Sequence, residues 1–172
     1  MIFKSYLEFG ILIFWVLIEI ERKFLVTSQA FKDEAIVQTE IVQGFLIFDI
    51  ERTVRVRIKG DKGFLTIKGK TSDDGTTRFE WEKEIPKREA KELLALCEKG
   101  AIHKTRYEVQ IGGHLFEVDE FHGENQGLVI AEVELAKSDE IFQKPDWLGA
   151  EVTGDVKYYN SNLAKHPYTA WD

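Results

Sequence analysis

Cysteine, excess positive charge and long hydrophobic runs are all scarce in this 172-residue sequence, and each shortage argues against a class of protein. The single cysteine, Cys97, rules out an intramolecular disulfide and predicts a reducing, cytoplasmic compartment. Asp and Glu outnumber Lys and Arg by 30 to 23, and a net charge of −7 argues against nonspecific nucleic-acid binding, which uses a basic surface. Residues 11–18 form an unbroken apolar run of only about a third to a half of a membrane span, so no stable membrane insertion is expected.

Several familiar catalytic signatures are also missing. The chain has no Gly-rich phosphate-binding loop of the Walker kind. Its four histidines lack the paired spacing of zinc ligands, and Ser, Cys and His occur in no arrangement that resembles a catalytic triad. Any chemistry must therefore be sought among the Asp, Glu, Lys and Arg residues.

Alternation of apolar and polar residues with a period of two dominates the chain and predicts β-strands. The strands are predicted at 16–26, 53–59, 64–70, 78–85, 104–109, 114–121 and 128–135. Helices are predicted only near 29–35, 87–98 and 158–165. Seven or eight mainly antiparallel strands in meander order predict a mainly β (α+β) fold built as a closed or nearly closed barrel.

Basic residues on two consecutive predicted strands share one face of each strand. Arg55, Arg57 and Lys59 alternate along the first strand, and Lys68 and Lys70 alternate along the second. Like charges placed opposite one another destabilise a sheet. An unrelieved basic face therefore predicts a bound anion.

Carboxylates recur as pairs spaced two residues apart, so that both members of a pair lie on one face of a strand. Carboxylates this close repel each other unless a cation lies between them, and their hard oxygen atoms suit Mg²⁺ or Mn²⁺. The pairs are Glu19 with Glu21, Glu80 with Glu82, Glu117 with Asp119, and Glu132 with Glu134.

The opposite faces of these strands are apolar and include Val56, Phe79 and Trp81. If the charged faces line the interior of the barrel, we expect helices and loops to cover some of the apolar residues from outside. Charges inside a protein are costly unless they are paired, hydrated or bound to a ligand. A water-filled tunnel that holds a polyanion with its metal satisfies all of these conditions. The alternative is a polar face in contact with solvent, which is the commoner arrangement in antiparallel sheets.

The sequence EIERK at 19–23 matches the ExExK signature of the CYTH domain family, the triphosphate tunnel metalloenzymes, and residues 17–168 resemble this family. The matching charged motifs follow in order at 55–57, 68, 80–82, 104–106, 117–119 and 132–134. The resemblance implies an eight-stranded antiparallel closed tunnel with a charged interior and a few flanking helices. It also implies divalent-metal-dependent hydrolysis or cyclisation of triphosphate compounds.

The resemblance assigns roles to individual residues. It implies that metal is held by Glu19, Glu21, Glu132 and Glu134. It implies that phosphate oxygens are bound by Lys23, Arg55, Arg57, Lys68, Lys104 and Arg106. An acidic side, where a second metal or the attacking water is handled, would consist of Glu80, Glu82, Glu117 and Asp119. A C-terminal helix would close one mouth of the tunnel, with Lys165 or Lys157 adding a basic group there.

We predict a single domain over residues 17–172, preceded by an apolar extension at 1–16. We interpret the extension as upstream sequence that follows from too early a choice of start codon. The alternatives are an extension of the first strand and a tail that touches a surface or a membrane.

The function we expect is hydrolysis of tripolyphosphate to pyrophosphate and phosphate, with Mg²⁺ or Mn²⁺, by a monomer or homodimer. The chain is short and has no evident pocket for a base or a thiamine ring. The alternatives are a nucleoside triphosphatase acting on ATP, a thiamine triphosphatase or a class IV type adenylate cyclase. A non-catalytic module that binds polyphosphate or nucleotide is a further alternative, but it could do without the carboxylate pairs.

Overall fold

The computed structural model describes residues 18–49, 51–72 and 77–171, and side chains are described for all of these except residues 18, 19, 71, 77 and 78. The described strands are β1 (Ile18–Val26), β2 (Val37–Phe48), β3 (Arg52–Lys59), β4 (Lys62–Thr71), β5 (Thr77–Ile85), β6 (Ile102–Ile111), β7 (His114–Phe121), β8 (Val129–Glu134) and β9 (Leu148–Glu151). The α-helices are α1 (Phe31–Glu34), α2 (Lys87–Leu94) and α3 (Asn160–Leu163). The apolar extension predicted at 1–16 lies outside the described residues.

All paired strands are antiparallel, in the order β5-β4-β3-β2-β6-β7-β8-β1-β9. The first residues of β1 also pair with β5, from Ile18 opposite Phe79 to Ile20 opposite Thr77, so that eight strands surround a central tunnel. This seam contains only three residue pairs, and further along β1 the same edge pairs with the short strand β9. The predicted eight-stranded antiparallel architecture is confirmed.

Strand β2, the longest at 12 residues, was not among the strands predicted from the sequence. It lies between β3 and β6 and therefore forms an essential part of the wall. Several other strands alternate charged inward residues with apolar outward residues. In β2 this alternation is obscured, because the inward residues Ile41 and Phe45 are apolar and the outward residue Gly44 has no side chain. A register shift between Phe45 and Ile47 interrupts the pattern again.

Two outer surfaces of the barrel are covered. Phe31 of α1 and Trp147, which precedes β9, pack against the outward residue Phe116 and its neighbours on β1, β6 and β8. On the other side, α2 packs against β2, β3 and β4. Cys97 lies in this second contact, where burial raises the pKa of its thiol, in keeping with a packing role.

A third outer surface is not covered by any described segment. Ile67 on β4 and Phe79 and Trp81 on β5 remain 37%, 49% and 36% exposed. The expectation that helices and loops cover some of the apolar faces is therefore confirmed for β1, β6, β7 and β8, whereas this part of β4 and β5 remains exposed. Among the described residues, no helix combines the length and the apolar character needed to cross a bilayer.

One end of the tunnel is closed by apolar side chains. The inward residues Phe45, Phe121 and Ile130 meet Leu163 of α3 and the adjacent Ala164. The predicted closure of one mouth by a C-terminal helix is confirmed, although α3 has only four residues.

The close approach of α2 to the sheet gives a stability prediction. A Cβ atom at Gly63 would lie 2.6 Å from Cβ of Ala90 and 2.9 Å from the carbonyl oxygen of Ile85. Because neither neighbour can rotate away, Gly63→Ala should lower the free energy of unfolding by about 1 to 3 kcal/mol, as measured by urea denaturation. Gly113→Ala is the matched control, since a Cβ there meets no atom within 4 Å. Equal effects of the two substitutions would contradict this account of the packing.

Candidate active site: a charged tunnel

The tunnel contains a cavity of about 550 Å³ that is lined by charged side chains from alternate positions of the strands. Antiparallel partners point to the same side of a sheet, so the register of the strands brings these side chains together. The basic residues lining the cavity are Lys23, Arg55, Arg57, Lys59, Lys68 and Arg106. The acidic residues lining it are Glu21, Glu80, Glu82, Glu117, Glu132, Glu134 and Glu140.

On the wall formed by β3, β4 and β5, Glu82 is the central acceptor. Nη2 of Arg57 donates to its two carboxylate oxygens at 2.9 and 3.1 Å, and Nη2 of Arg55 donates at 3.3 Å. The hydroxyl of Thr66 donates to the same carboxylate at 2.6 Å. Burial alone would raise the pKa of Glu82, but Arg57, Thr66 and Arg55 hold that pKa below its ordinary value. Beside it, Nζ of Lys68 lies 2.7 Å from Oε2 of Glu80.

On the wall formed by β6, β7 and β8, Arg106 is the central donor. Its guanidinium binds Asp119 through two parallel hydrogen bonds of 2.7 and 2.6 Å. It also contacts Glu117 and, at 3.3 Å, Glu132. Lys104 also donates to Asp119, at the oxygen Oδ2 that accepts from Nη2 of Arg106. Burial favours the neutral form of Asp119, but Arg106 and Lys104 hold the pKa of this carboxyl below its usual range.

On the wall formed by β1 and β8, the ammonium group of Lys23 lies between two carboxylates. Its Nζ is 2.9 Å from Glu21 and also pairs with Glu132. Burial alone would raise the pKa of Glu132, but Lys23 and Arg106 hold it well below its ordinary value. Glu134 is the β8 partner of Glu21 and lines the same cavity.

These contacts correct one expectation from the sequence. The basic face of β3 and β4 is not unrelieved, because Glu80 and Glu82 on β5 point into the same space and pair with it. In the same way, Lys23 and Arg106 lie among the carboxylates of β1, β7 and β8. The protein thus supplies its own counterions, and the sorting of charges by sign does not by itself require a bound anion.

Most residues predicted from the sequence converge on the tunnel. Lys104 and Asp119 lie in its wall, each 1% exposed, rather than on the surface of the cavity. Of Glu19 the structure describes only the backbone in β1, so its predicted metal-binding role lies outside the described side chains. The structure does not bring Lys165 to the cavity, because Nζ of Lys165 lies 4.5 Å from the centre of the Phe48 ring. Lys157 likewise lies over the ring of Trp171.

The structure adds residues that the sequence did not point to. Thr66 is two residues before Lys68 on the same inward face, a spacing that could have revealed it. At the closed end, Tyr159, Asn160 and Ser161 line the cavity. These three residues follow a 3₁₀ turn, where no strand periodicity indicates which way they point.

The donor chemistry of the β1–β8 wall fits a hard divalent cation, since Glu21, Glu132 and Glu134 all line the cavity. Across the described part of the chain, however, no three carboxylate, histidine or cysteine side chains stand close enough together to hold a metal ion. The ammonium group of Lys23 already bridges two of the three carboxylates. The residues therefore fit a divalent metal by type, and to hold one together Glu21, Glu132 and Glu134 would have to move closer to each other and Lys23 would have to change its partners.

The fold and the site together place this protein in the class of antiparallel β-barrels whose interior is a tunnel lined by charged side chains. Residues 17–168 match the CYTH domain family. The chain is 53% identical over 151 residues to an inorganic triphosphatase of Acetivibrio thermocellus, with 87% of this chain and 95% of that protein covered. It is 37% identical over 150 residues to an inorganic triphosphatase of Nitrosomonas europaea, with coverage of 85% and 96%. The crystal structure of an inorganic triphosphatase superposes with a TM-score of 0.62 at 35% identity, covering 85% of this chain and 93% of that one. This chain therefore belongs to the CYTH domain family.

The buried Lys104 gives a prediction about pH. Burial is the main reason that the pKa of Lys104 falls from its ordinary value of 10.5 to about 8. Between these two values the unfolded chain holds more protons than the folded one, so raising the pH stabilises the fold. Relative to Lys104→Met, the wild-type free energy of unfolding should therefore increase from pH 8 towards 10.5, by at most about 1.4 kcal/mol per pH unit.

The measurement is a series of urea denaturations at several pH values. Lys91→Met is the control, because Lys91 is exposed on α2. A difference between wild type and Lys104→Met that does not change over this range would show that Lys104 keeps an ordinary pKa.

Proposed function

We propose that this protein hydrolyses inorganic triphosphate to pyrophosphate and phosphate inside the tunnel, with the help of Mg²⁺ or Mn²⁺. The observation that carries the proposal is the set of guanidinium and ammonium groups that four strands direct into one cavity closed at one end. The two inorganic triphosphatases compared above support it, since this chain covers nearly the whole length of both.

The basic side chains would bind the phosphate oxygens. In the structure, Arg55 and Arg57 donate to Glu82, and Lys68 pairs with Glu80. A triphosphate carries several negative charges and can replace these carboxylates as the partner of the same donors. Neutralising the phosphoryl group and fixing it in line are the main tasks of an enzyme that transfers phosphoryl groups.

The carboxylates of the β1–β8 wall, Glu21, Glu132 and Glu134, would hold the metal, together with Glu19. A divalent ion bound there supplies positive charge to the phosphate oxygens and makes bound water more acidic. Lys23, now paired with Glu21 and Glu132, would then be available to contact a phosphate.

Residues of the β6–β7 wall would orient Arg106 and position the attacking water. Asp119 is fully engaged by Arg106 and Lys104, so we assign it the task of fixing the direction of Arg106. Glu117 has a side chain that is 34% exposed and lines the cavity. We therefore assign to Glu117 the task of orienting or deprotonating water at the terminal phosphate.

The first test offers the purified protein tripolyphosphate, ATP and thiamine triphosphate, each with Mg²⁺, Mn²⁺ or a chelator. We expect release of phosphate and pyrophosphate from tripolyphosphate, and we expect the chelator to abolish it, because hydrolysis depends on the metal. Formation of pyrophosphate and cyclic AMP from ATP would show a cyclase instead. Tight binding of tripolyphosphate without turnover would show a binding module.

The second test is Glu21→Gln, which removes a proposed metal ligand but keeps the shape of the side chain. We expect turnover of tripolyphosphate to fall at least about 100-fold, since even the partners of metal ligands are worth 10- to 100-fold. Circular dichroism should show an unchanged fold. The control is Glu84→Gln, because Glu84 pairs with Lys62 on the exposed surface. Retained activity in Glu21→Gln would exclude Glu21 as a ligand.

A further inference from the structure

Gln43 of β2 is fully buried, yet neither Nε2 nor Oε1 of its side chain has a hydrogen-bond partner among the described residues. Buried polar side chains are almost always hydrogen-bonded, because water is lost on burial and must be replaced. An unpaired carboxamide in the wall of the tunnel is therefore a feature that stability alone does not explain.

The direction of this side chain follows from its neighbours. Gly44 faces outward, where an added Cβ would lie 2.9 Å from Sγ of Cys97 beside α2. Gln43 must therefore face inward, since successive side chains of a strand point to opposite faces. Its partner on β3 is Arg57, which lines the cavity.

Arg57 carries the complementary unpaired atom. Its Nη2 donates to both carboxylate oxygens of Glu82, but its buried Nε has no partner among the described residues. Directly opposite residues in a sheet have Cβ atoms about 4.5 to 5.5 Å apart. An unused donor on Arg57 and an unused acceptor on Gln43 thus belong to neighbouring side chains on the same face of the sheet.

We propose that Gln43 is a positioning residue for Arg57, an inference that rests on the proposed function. When a triphosphate anion replaces Glu82 as the partner of the Arg57 guanidinium, Nε–H of Arg57 donates to Oε1 of Gln43. A guanidinium is planar and rigid, so this bond fixes the direction of its remaining N–H groups. While Glu82 holds Arg57 as described, the carboxamide of Gln43 is left unpaired.

The charge around Arg57 supports an exchange of partners. Burial and the nearby guanidiniums of Arg55 and Arg106 lower the pKa of Arg57 to about 10, although Glu82 opposes the shift. Positive charge is therefore crowded at this point of the wall. An incoming anion relieves the crowding, and a fixed orientation of Arg57 then directs its donors toward that anion.

The test is Gln43→Met, which keeps an unbranched side chain of similar volume but removes the acceptor. We expect the Kd for tripolyphosphate, measured by calorimetry without metal, to rise about tenfold or more. We expect KM in the assay with metal to rise by a similar factor. This factor corresponds to the usual free energy of a hydrogen bond to a charged group. The melting temperature should not fall, because the substitution removes an unpaired buried amide. Gln38→Met is the matched control, since Gln38 is exposed on the same strand.

A double-mutant cycle with Arg57→Met identifies the route of the effect. If Gln43 acts through Arg57, then Gln43→Met should change binding by less than about twofold in the Arg57→Met background. A full tenfold loss in that background would overturn the proposal, because Gln43 would then act independently of Arg57. Unchanged binding with a lower melting temperature would also overturn it and would indicate a purely structural role.

The wild-type protein separates this inference from the proposed function. If wild type hydrolyses tripolyphosphate and Gln43→Met binds it equally well, only the role of Gln43 fails. If wild type neither binds nor hydrolyses tripolyphosphate, the proposed function fails, and the role of Gln43 fails with it.

Discussion

The paired hydrogen bonds between Arg106 and Asp119 are the interaction on which the walls of the tunnel depend. Both side chains are almost fully buried, and isolated charges in such a place would be very costly. Asp119 also accepts from Lys104, and Arg106 extends the network to Glu132, which binds Lys23 on β1. Four strands are thus joined by one continuous series of ion pairs, in which Asp119 has two cationic partners and Arg106 contacts three carboxylates.

The same network explains how a protein with a net charge of −7 can offer a site for an anion. The cavity contains nearly equal numbers of basic and acidic side chains, so its charge is balanced by contacts within the protein. Under the proposed function, the substrate replaces the carboxylates that now pair with the basic groups, and the metal replaces the cations that now pair with the acidic groups. The affinity for each then depends on how easily pairs such as Arg57 with Glu82 and Lys23 with Glu132 separate.

Much of this arrangement was predictable, because alternating charges on strands such as β3 and β7 reveal both the strand and its polar face. Strand β2 was missed because its inward residues near the closed end are apolar and a register shift follows Phe45. The internal pairing was missed for a different reason. Arg57 meets Glu82 across an intervening strand, and the alternation along each single strand does not show that side chains of β3 and β5 reach each other over β4. The position of Lys165 depends on short turns, where no periodic pattern fixes the direction of a side chain.

The short seam between β1 and β5 has a consequence for the order of assembly during folding. β1 is the first described strand, yet its partner β8 is far along the chain, and the contact between Lys23 and Glu132 spans 109 residues. Contacts over such distances form slowly, because a long loop must close before they add stability. The step that inserts β1 therefore completes the ring and also brings Glu21 and Lys23 opposite β8. Without β1 the pairings from β2 to β8 could still form, but Glu21 and Lys23 would be missing from the cavity, so the charged site is complete only when the ring is complete.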